Sequence, residues 1–281
     1  MWHNLRQLMR HRGLIQSLVT RELKARYRGS VLGFFWSFVN PLLLLSVYSF
    51  VFIYVLPRDV LTPAVPGAVT ELPKVKIEHY ALFMFCGILP WTWFSTALSD
   101  ATGSLISGGN LIKKVLFPAE ILPIVSVIAN MMHFLFGLAI VVGFLLYYRL
   151  APDAADLLWF PVVVFVQLLF TVGLSLLLSA LTVHFRDIRD ILSNVLTFWF
   201  FATPIIYYIG DAPGAKMGWT KGVLNANPMT HIVVSYQEIL YFPGPIGHWK
   251  WLLAVGAASV LLFVVGYWVF DRLRDSFAEA I

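Results

Sequence analysis

The stretch Gly103-Ser-Leu-Ile-Ser-Gly108-Gly109-Asn110 has the glycine spacing of a phosphate-cradling loop. In such loops a lysine and a Ser or Thr follow the second glycine, where they contact phosphate and magnesium. Here Gly109 and Asn110 stand in those places, so the stretch is not a complete nucleotide site. Its glycines are read instead as permitting a bend from a long helix into a short one over about Leu105–Leu116. A second run, His184-Phe-Arg-Asp-Ile-Arg-Asp190, places Arg186 and Asp190 four apart with Asp187 and Arg189 between them. Local ion pairing and helix capping account for that pattern. A gate or a contact with a partner is the functional alternative. Asp100, Glu120, His133 and Asp187 are scattered and form no recognisable set of nucleophile, base or metal ligands. A membrane glycosyl- or phospho-transferase would need such a set. Cys86 stands alone, which rules out an intramolecular disulfide and leaves packing as its reading.

The elements that must position these residues are written in the composition. Of 281 residues, 59% are hydrophobic and 12% charged, against about 25% charged in an ordinary soluble domain. Uncharged runs near 31–56, 80–99, 121–148, 157–183, 191–209 and 251–270 are each long enough to cross a bilayer core of about 30 Å. The predicted fold class is therefore an all-α integral membrane protein of six transmembrane helices. An amino-terminal interface helix (1–30) precedes a transmembrane domain (31–281). Within the spans only His133 is ionisable and deep, with Asp100 at a boundary. Gradient-driven carriers need more than that near the midplane. His133 with Asn130, and Gln167, are read as helix-to-helix hydrogen bonding, with a pore-facing role as the alternative.

Placing both termini inside leaves thirteen Lys and Arg on the inner side and seven on the outer, of 20 in all. The densest basic cluster precedes the first span. Both features orient the termini to the cytoplasm. Arg6, Arg10 and Arg12 come before any apolar core of signal type, so no cleaved signal is expected. From Leu5 to Tyr27, Leu5, Leu8, Met9, Ile15, Leu18, Val19 and Leu23 recur at helical spacing with Arg and Lys between them. This predicts a basic amphipathic helix on the inner membrane surface, either a topology anchor or a brace for a cytosolic partner. The segment 210–250 mixes Trp219, Tyr236 and Tyr241 with Pro213, Pro228 and Pro243, which suits short re-entrant or interfacial helices on the outer side. An ordinary capping loop is the alternative.

The run Thr20–Leu45, TRELKARYRGSVLGFFWSFVNPLLLL, resembles the start of the membrane subunits of polysaccharide-export ABC transporters of the Wzm, TagG and KpsM kind. Arg21, Glu22, Leu23, Lys24, Arg26, Tyr27, Arg28, Ser30, Leu32, Gly33, Trp36, Asn40 and Pro41 fit that family's pattern. NLIKKVLFP at Asn110–Pro118, FRDIRDILSNVLTFWFFATP at Phe185–Pro204 and the Asn-Pro-Met at Asn227–Met229 continue the likeness. The loop 57–79 is longer than the family's usual first outer loop. The resemblance implies that Leu111, Ile112, Lys113, Lys114, Val115, Leu116 and Phe117 form a coupling helix seated in a separate ATPase. It makes Arg21, Glu22, Lys24, Arg26, Tyr27 and Arg28 the interface helix, with Arg186, Asp187, Arg189 and Asp190 a candidate gate or inner contact. A minority of aromatics, with Phe34, Trp36, Tyr48, Trp91 and Trp199 as candidates, would line a conduit where ring faces tolerate sliding sugars.

The function so implied is the transmembrane subunit of an ATP-driven exporter of lipid-linked polysaccharide, of O-antigen, capsule or teichoic-acid type, in the bacterial inner membrane. Six helices make too narrow a channel for a glycan, so a second copy of the chain and two nucleotide-binding subunits are expected as partners, alongside membrane lipids. Cofactors are expected only in those subunits, as ATP and Mg2+. No nucleic acid is expected. A permease for drugs or small lipids shares the six-span plan, and a passive channel or scaffold is the reading that needs no motor.

Overall fold

Long charge-poor segments must satisfy their backbone polar groups internally, and a helix does so within one segment. The structure, a computed structural model, describes residues 12–51, 55, 80–114, 118–150, 152, 154–207, 218–242 and 245–277. The amphipathic stretch before Arg12, the first outer loop 57–79, Val115, Leu116 and Phe117, and the side chains of Phe34 and Lys114 lie outside the described residues. Among the described residues eleven α-helices follow one another: α1 Arg12–Arg26, α2 Trp36–Phe50, α3 Tyr80–Ser107, α4 Gly109–Lys114, α5 Ile121–Tyr147, α6 Ala154–Leu157, α7 Phe160–His184, α8 Ile188–Phe201, α9 Gly218–Ala226, α10 Pro228–Leu240 and α11 Trp249–Leu273. No strand occurs among the described residues.

Helices α3, α5, α7 with the turn before it, and α11 are long and apolar enough to cross a membrane. α2 has 15 residues and α8 has 14. Where a span is expected over 80–99, α3 runs on to Ser107. Where one is expected over 191–209, α8 begins at Ile188 and stops at Phe201. Pro204 accounts for the early stop, because it has no N–H to donate and disfavours helical backbone at Thr203.

α3 is the hub. Phe83, Met84, Phe94, Ala97, Leu98, Ala101 and Leu105 are fully buried along its length. Trp93 stacks on Phe134 of α5 with ring centroids 5.2 Å apart, and Phe94 stacks on Phe170 of α7 at 5.7 Å. Pro90 interrupts the α3 ladder, and Gln167 of α7 donates its Nε2 to the Pro90 carbonyl at 2.7 Å. This is the helix-to-helix bond expected of Gln167. α7 and α11 meet backbone to backbone: a Cβ on Gly266 would fall 2.3 Å from the Gly173 carbonyl oxygen. Lipid tails supply no hydrophobic drive between helices, so close packing of this kind carries the association.

Among its described residues the segment 210–250 holds two short helices, α9 and α10, and α10 is deeply buried. Every residue from Met229 to Gln237 is buried. Its start is fixed by Asn227, whose Oδ1 accepts from Met229 N at 3.0 Å and from Trp199 Nε1 at 2.7 Å. Asn227 Nδ2 donates to the Ala202 carbonyl at 3.1 Å and to Thr203 Oγ1 at 3.0 Å. Pro228 then occupies a first-turn position where its missing N–H costs nothing. The Asn-Pro pair thus bolts α10 to the end of α8.

Candidate functional site: the latched interface helix

The apolar stripe of α1, expected to face the membrane surface, is covered by protein. Leu18 and Val19 are buried against Ile121, Val125 and Ala129 of α5, with Leu14, Ile15 and Leu23 beside them. α1 therefore runs along the first third of α5 and shields its apolar start. Arg21, Lys24 and Arg28 stay exposed.

At the end of α1, Arg26 spreads its guanidinium between two helices. Nη2 donates to Asp100 Oδ2 of α3 at 2.6 Å, and Nη1 donates to Asn130 Oδ1 of α5 at 3.1 Å. Asn130 Nδ2 donates to the same Asp100 oxygen at 2.8 Å and to the Ser126 carbonyl at 2.9 Å. One residue on, the Tyr27 hydroxyl pairs with Ser37 at 2.8 Å and with His133 Nδ1 at 3.2 Å. The planar fork of arginine suits this two-partner geometry, which the ammonium of lysine does not reproduce. The side chains of Arg26 and Asp100 are 35% and 38% exposed. Solvent screening then limits the pair to about 0.2–1 kcal/mol. The latch is strong enough to bias the position of α1 and weak enough to open.

Asp100 lies before the last two turns of α3, and Asn130 follows the first nine residues of α5. At about 1.5 Å per residue both helices project roughly 10–14 Å past the latch. Their projecting ends carry α4. The bend expected from the glycines falls at Gly108, whose N–H donates to the Ser104 carbonyl at 2.9 Å. A Cβ there would lie 2.5 Å from Leu122 Cδ1 and 2.9 Å from that carbonyl oxygen, which explains the glycine. The short helix expected over Leu105–Leu116 thus begins at Gly109, because α3 continues through Ser107. Leu111 and Ile112 turn toward the core while Lys113 is exposed.

Two clefts, each of about 600 Å³, flank the latch. One lies at the basic end, between Arg21, Glu22, Gly103, Ser107, Leu111 and Arg189. The other lies between Trp36, Asn40, Pro41, Thr92, Trp93 and His133. Burial raises the Glu22 carboxyl above its ordinary range, with the Asp100 charge adding to this and Arg26 and Arg21 opposing it.

The other sequence candidates fall in three places. Arg186, Asp187, Arg189 and Asp190 are exposed, and among the described residues they form no ion pair. Asp187 stands at the N-cap of α8 and Asp190 in its first turn, which suits the helix dipole, though no side-chain cap bond is made; the expected local ion pairing is not found among the described residues. Arg189 instead reaches the basic-end cleft, its Cζ 4.0 Å from where a Gly103 Cβ would stand. Trp91 and Trp199 meet edge to face at 6.4 Å, inside a cluster with Phe94 and Phe200. Trp91 is buried and Trp199 half-buried. Trp36 lines the second cleft and donates its Nε1 to Ser30 Oγ at 2.9 Å. Tyr48 is half-buried against the core.

A helical bundle of this kind, with membrane-length spans, a basic helix latched to it and a short helix bent off the end of one span, defines a multi-pass integral membrane protein of transporter type. The chain belongs to the ABC-2 type transporter family, whose pattern matches residues 13–241. It is 39% identical to the O-antigen export system permease protein RfbA of Myxococcus xanthus, over 99% of this chain and 98% of that one. It is 29% identical to the protein of the same name from Klebsiella pneumoniae, over 95% of each. It is 22% identical to the polysialic acid transport protein KpsM of Escherichia coli, over 83% of this chain and 82% of that one.

Proposed function

We propose that this chain is the membrane subunit of an ATP-driven exporter of lipid-linked polysaccharide in the bacterial inner membrane. The end-to-end similarity to an O-antigen export permease is the observation that carries this reading. In it the chain makes six spans, with α2 and α8 as the two shorter ones and both termini cytoplasmic. Two copies assemble with two nucleotide-binding subunits, which hold ATP and Mg2+ and do the hydrolysis. α4 and the residues after it, Leu111 to Phe117, seat in the motor subunit. The projection of α3 and α5 past the latch supports this, since it places α4 at the end of the bundle with Lys113 exposed. Arg186, Asp187, Arg189 and Asp190, exposed and without ion pairs among the described residues, are disposed for contact at the same end.

The test is co-purification with the nucleotide-binding subunit encoded beside the gene, followed by ATPase measurement and analysis of lipid-linked glycan in a deletion strain. The expected result is a complex that hydrolyses ATP, with glycan accumulating on its lipid carrier in the deletion. Normal glycan export in the deletion, with drug or small-lipid efflux lost, assigns the chain to the other permease reading.

A further inference from the structure

The two clefts are halves of one groove. On α3 one cleft touches Leu89, Thr92 and Thr96, and the other touches Ser99, Gly103 and Ser107. These positions recur every three or four residues and so share one helix face. On α5 the same holds for Leu122 and Ser126 on one side and Asn130 and His133 on the other. Arg26 lines both clefts, and its bridge from Asp100 to Asn130 crosses the groove between them, while Thr92, Thr96 and Ser99 are exposed along the open side of the groove.

We propose that the Arg26–Asp100–Asn130 bridge is a gate in a groove that admits the hydroxylated head of an amphiphile, the saccharide end of a lipid-linked substrate, from the basic end toward the middle of the bundle. This rests on the export reading above. The α3 face of the groove is small and hydroxyl-bearing. Thr96, Ser99 and Ser107 each donate to a carbonyl of their own helix, at 2.6, 2.9 and 3.1 Å, and keep oxygen lone pairs for a guest. Past the gate the lining carries amide, hydroxyl, imidazole and indole groups with apolar Pro41, Leu44 and Leu89, and the Arg26 charge is already matched by Asp100. A neutral sugar suits that surface better than a bare anion, which would have to displace the Asp100 carboxylate. From Leu89 to Ser107 the groove follows α3 for about 27 Å, comparable with a hydrocarbon core of about 30 Å. Water reaches both partners of the bridge, so opening it strands no buried charge. Gly29, at φ +80°, gives the link between α1 and α2 a backbone conformation that other residues rarely adopt.

The experiment uses the complex with its nucleotide-binding subunit in inverted membrane vesicles, in a Cys86→Ala background. Thr96→Cys reports beyond the gate and Ser107→Cys before it, each challenged with a charged, membrane-impermeant thiosulfonate. Ser107→Cys is expected to label at one rate throughout, and Thr96→Cys at least about tenfold faster once Asp100→Asn or Arg26→Gln is added. The exchanged pair Arg26→Asp with Asp100→Arg is expected to restore slow labelling, which general loosening of the fold would not do. Equal Thr96→Cys rates with and without the bridge, or no restoration by the exchanged pair, overturn the gate. For the guest, a benzophenone amino acid at position 92 is photolysed in vesicles supplied with a polyprenyl-diphosphate-linked saccharide. Saccharide-bearing adducts support the assignment, and adducts with phospholipid alone overturn it. Neither measurement reads export, so their failure is distinct from failure of the export reading, which the glycan analysis reports.

Discussion

Arg26 and Asp100, 74 positions apart in the chain, meet at 2.6 Å and join α1 to the hub of the bundle. Because the pair is partly solvated, its worth is set by screening. A double-mutant cycle on Arg26→Ala and Asp100→Ala is expected to return a coupling energy of about 0.2–1 kcal/mol, falling with added salt. Chemical unfolding in detergent measures it. A coupling of several kcal/mol would mean that the site is dry and the latch permanently shut.

Glu22 gives the same region a pH dependence. Its carboxyl is raised above the ordinary 4.5, chiefly by burial, so the folded chain holds that proton more tightly than the unfolded one does. The associated stability is greatest below the ordinary value and is lost as pH rises through the raised one. Glu22→Gln is therefore expected to be more heat-stable than the parent at neutral pH and equal to it in mild acid. Thermal-shift curves across that range check this, and a Gln variant less stable at neutral pH contradicts it.

Gly266 tests the close approach of α7 and α11. Gly266→Ala would drive a Cβ to 2.3 Å from the Gly173 carbonyl oxygen, where backbone has to move. A loss of about 1–3 kcal/mol is expected, the usual cost of overpacking. Gly143→Ala is the matched comparison, since nothing lies within 4 Å of its Cβ position. It is expected to be neutral or to stabilise by up to about 1 kcal/mol through helix propensity.

Asn227→Ala removes the α10 cap and strips partners from Met229, Trp199 and Thr203 together. A cap alone is worth about 0.5–2 kcal/mol, and a stranded buried donor about 1–3 kcal/mol more. The expected signature is a destabilised protein whose Trp199 emission shifts red. An unchanged unfolding midpoint would show that α10 is held by packing alone.

Much of this could be read from residue types. The third apolar run agrees with α5 to within one residue, and the bend before α4 falls among the glycines that announced it. The end of α8 was harder, because an apolar run continues past Pro204 while its backbone cannot. The apolar positions of α1 from Leu14 to Leu23 do share one face, but periodicity states that a face is apolar without saying whether lipid or α5 will cover it. The latch lay out of reach for a related reason. Its members are 30 to 104 positions apart, and local spacing carries no information about such pairs. The one available hint was an acid and an amide, Asp100 and Asn130, at the same level of neighbouring spans beside an arginine-rich helix. The burial of α10 escaped notice because thirteen residues are too few to cross a bilayer, and a short apolar run looks the same at a surface as in a core.

The contact between Gly173 and Gly266 bears on how the molecule can move. With two backbones touching, α7 and α11 have no room to slide or roll on each other and must travel as a single post. Any cycle of opening and closing has to be borne by pieces that lean on that post rather than belong to it. α8 is one such piece: it packs on α7 and α3 and turns Phe198 and Phe201 outward, so movement there would leave the post standing.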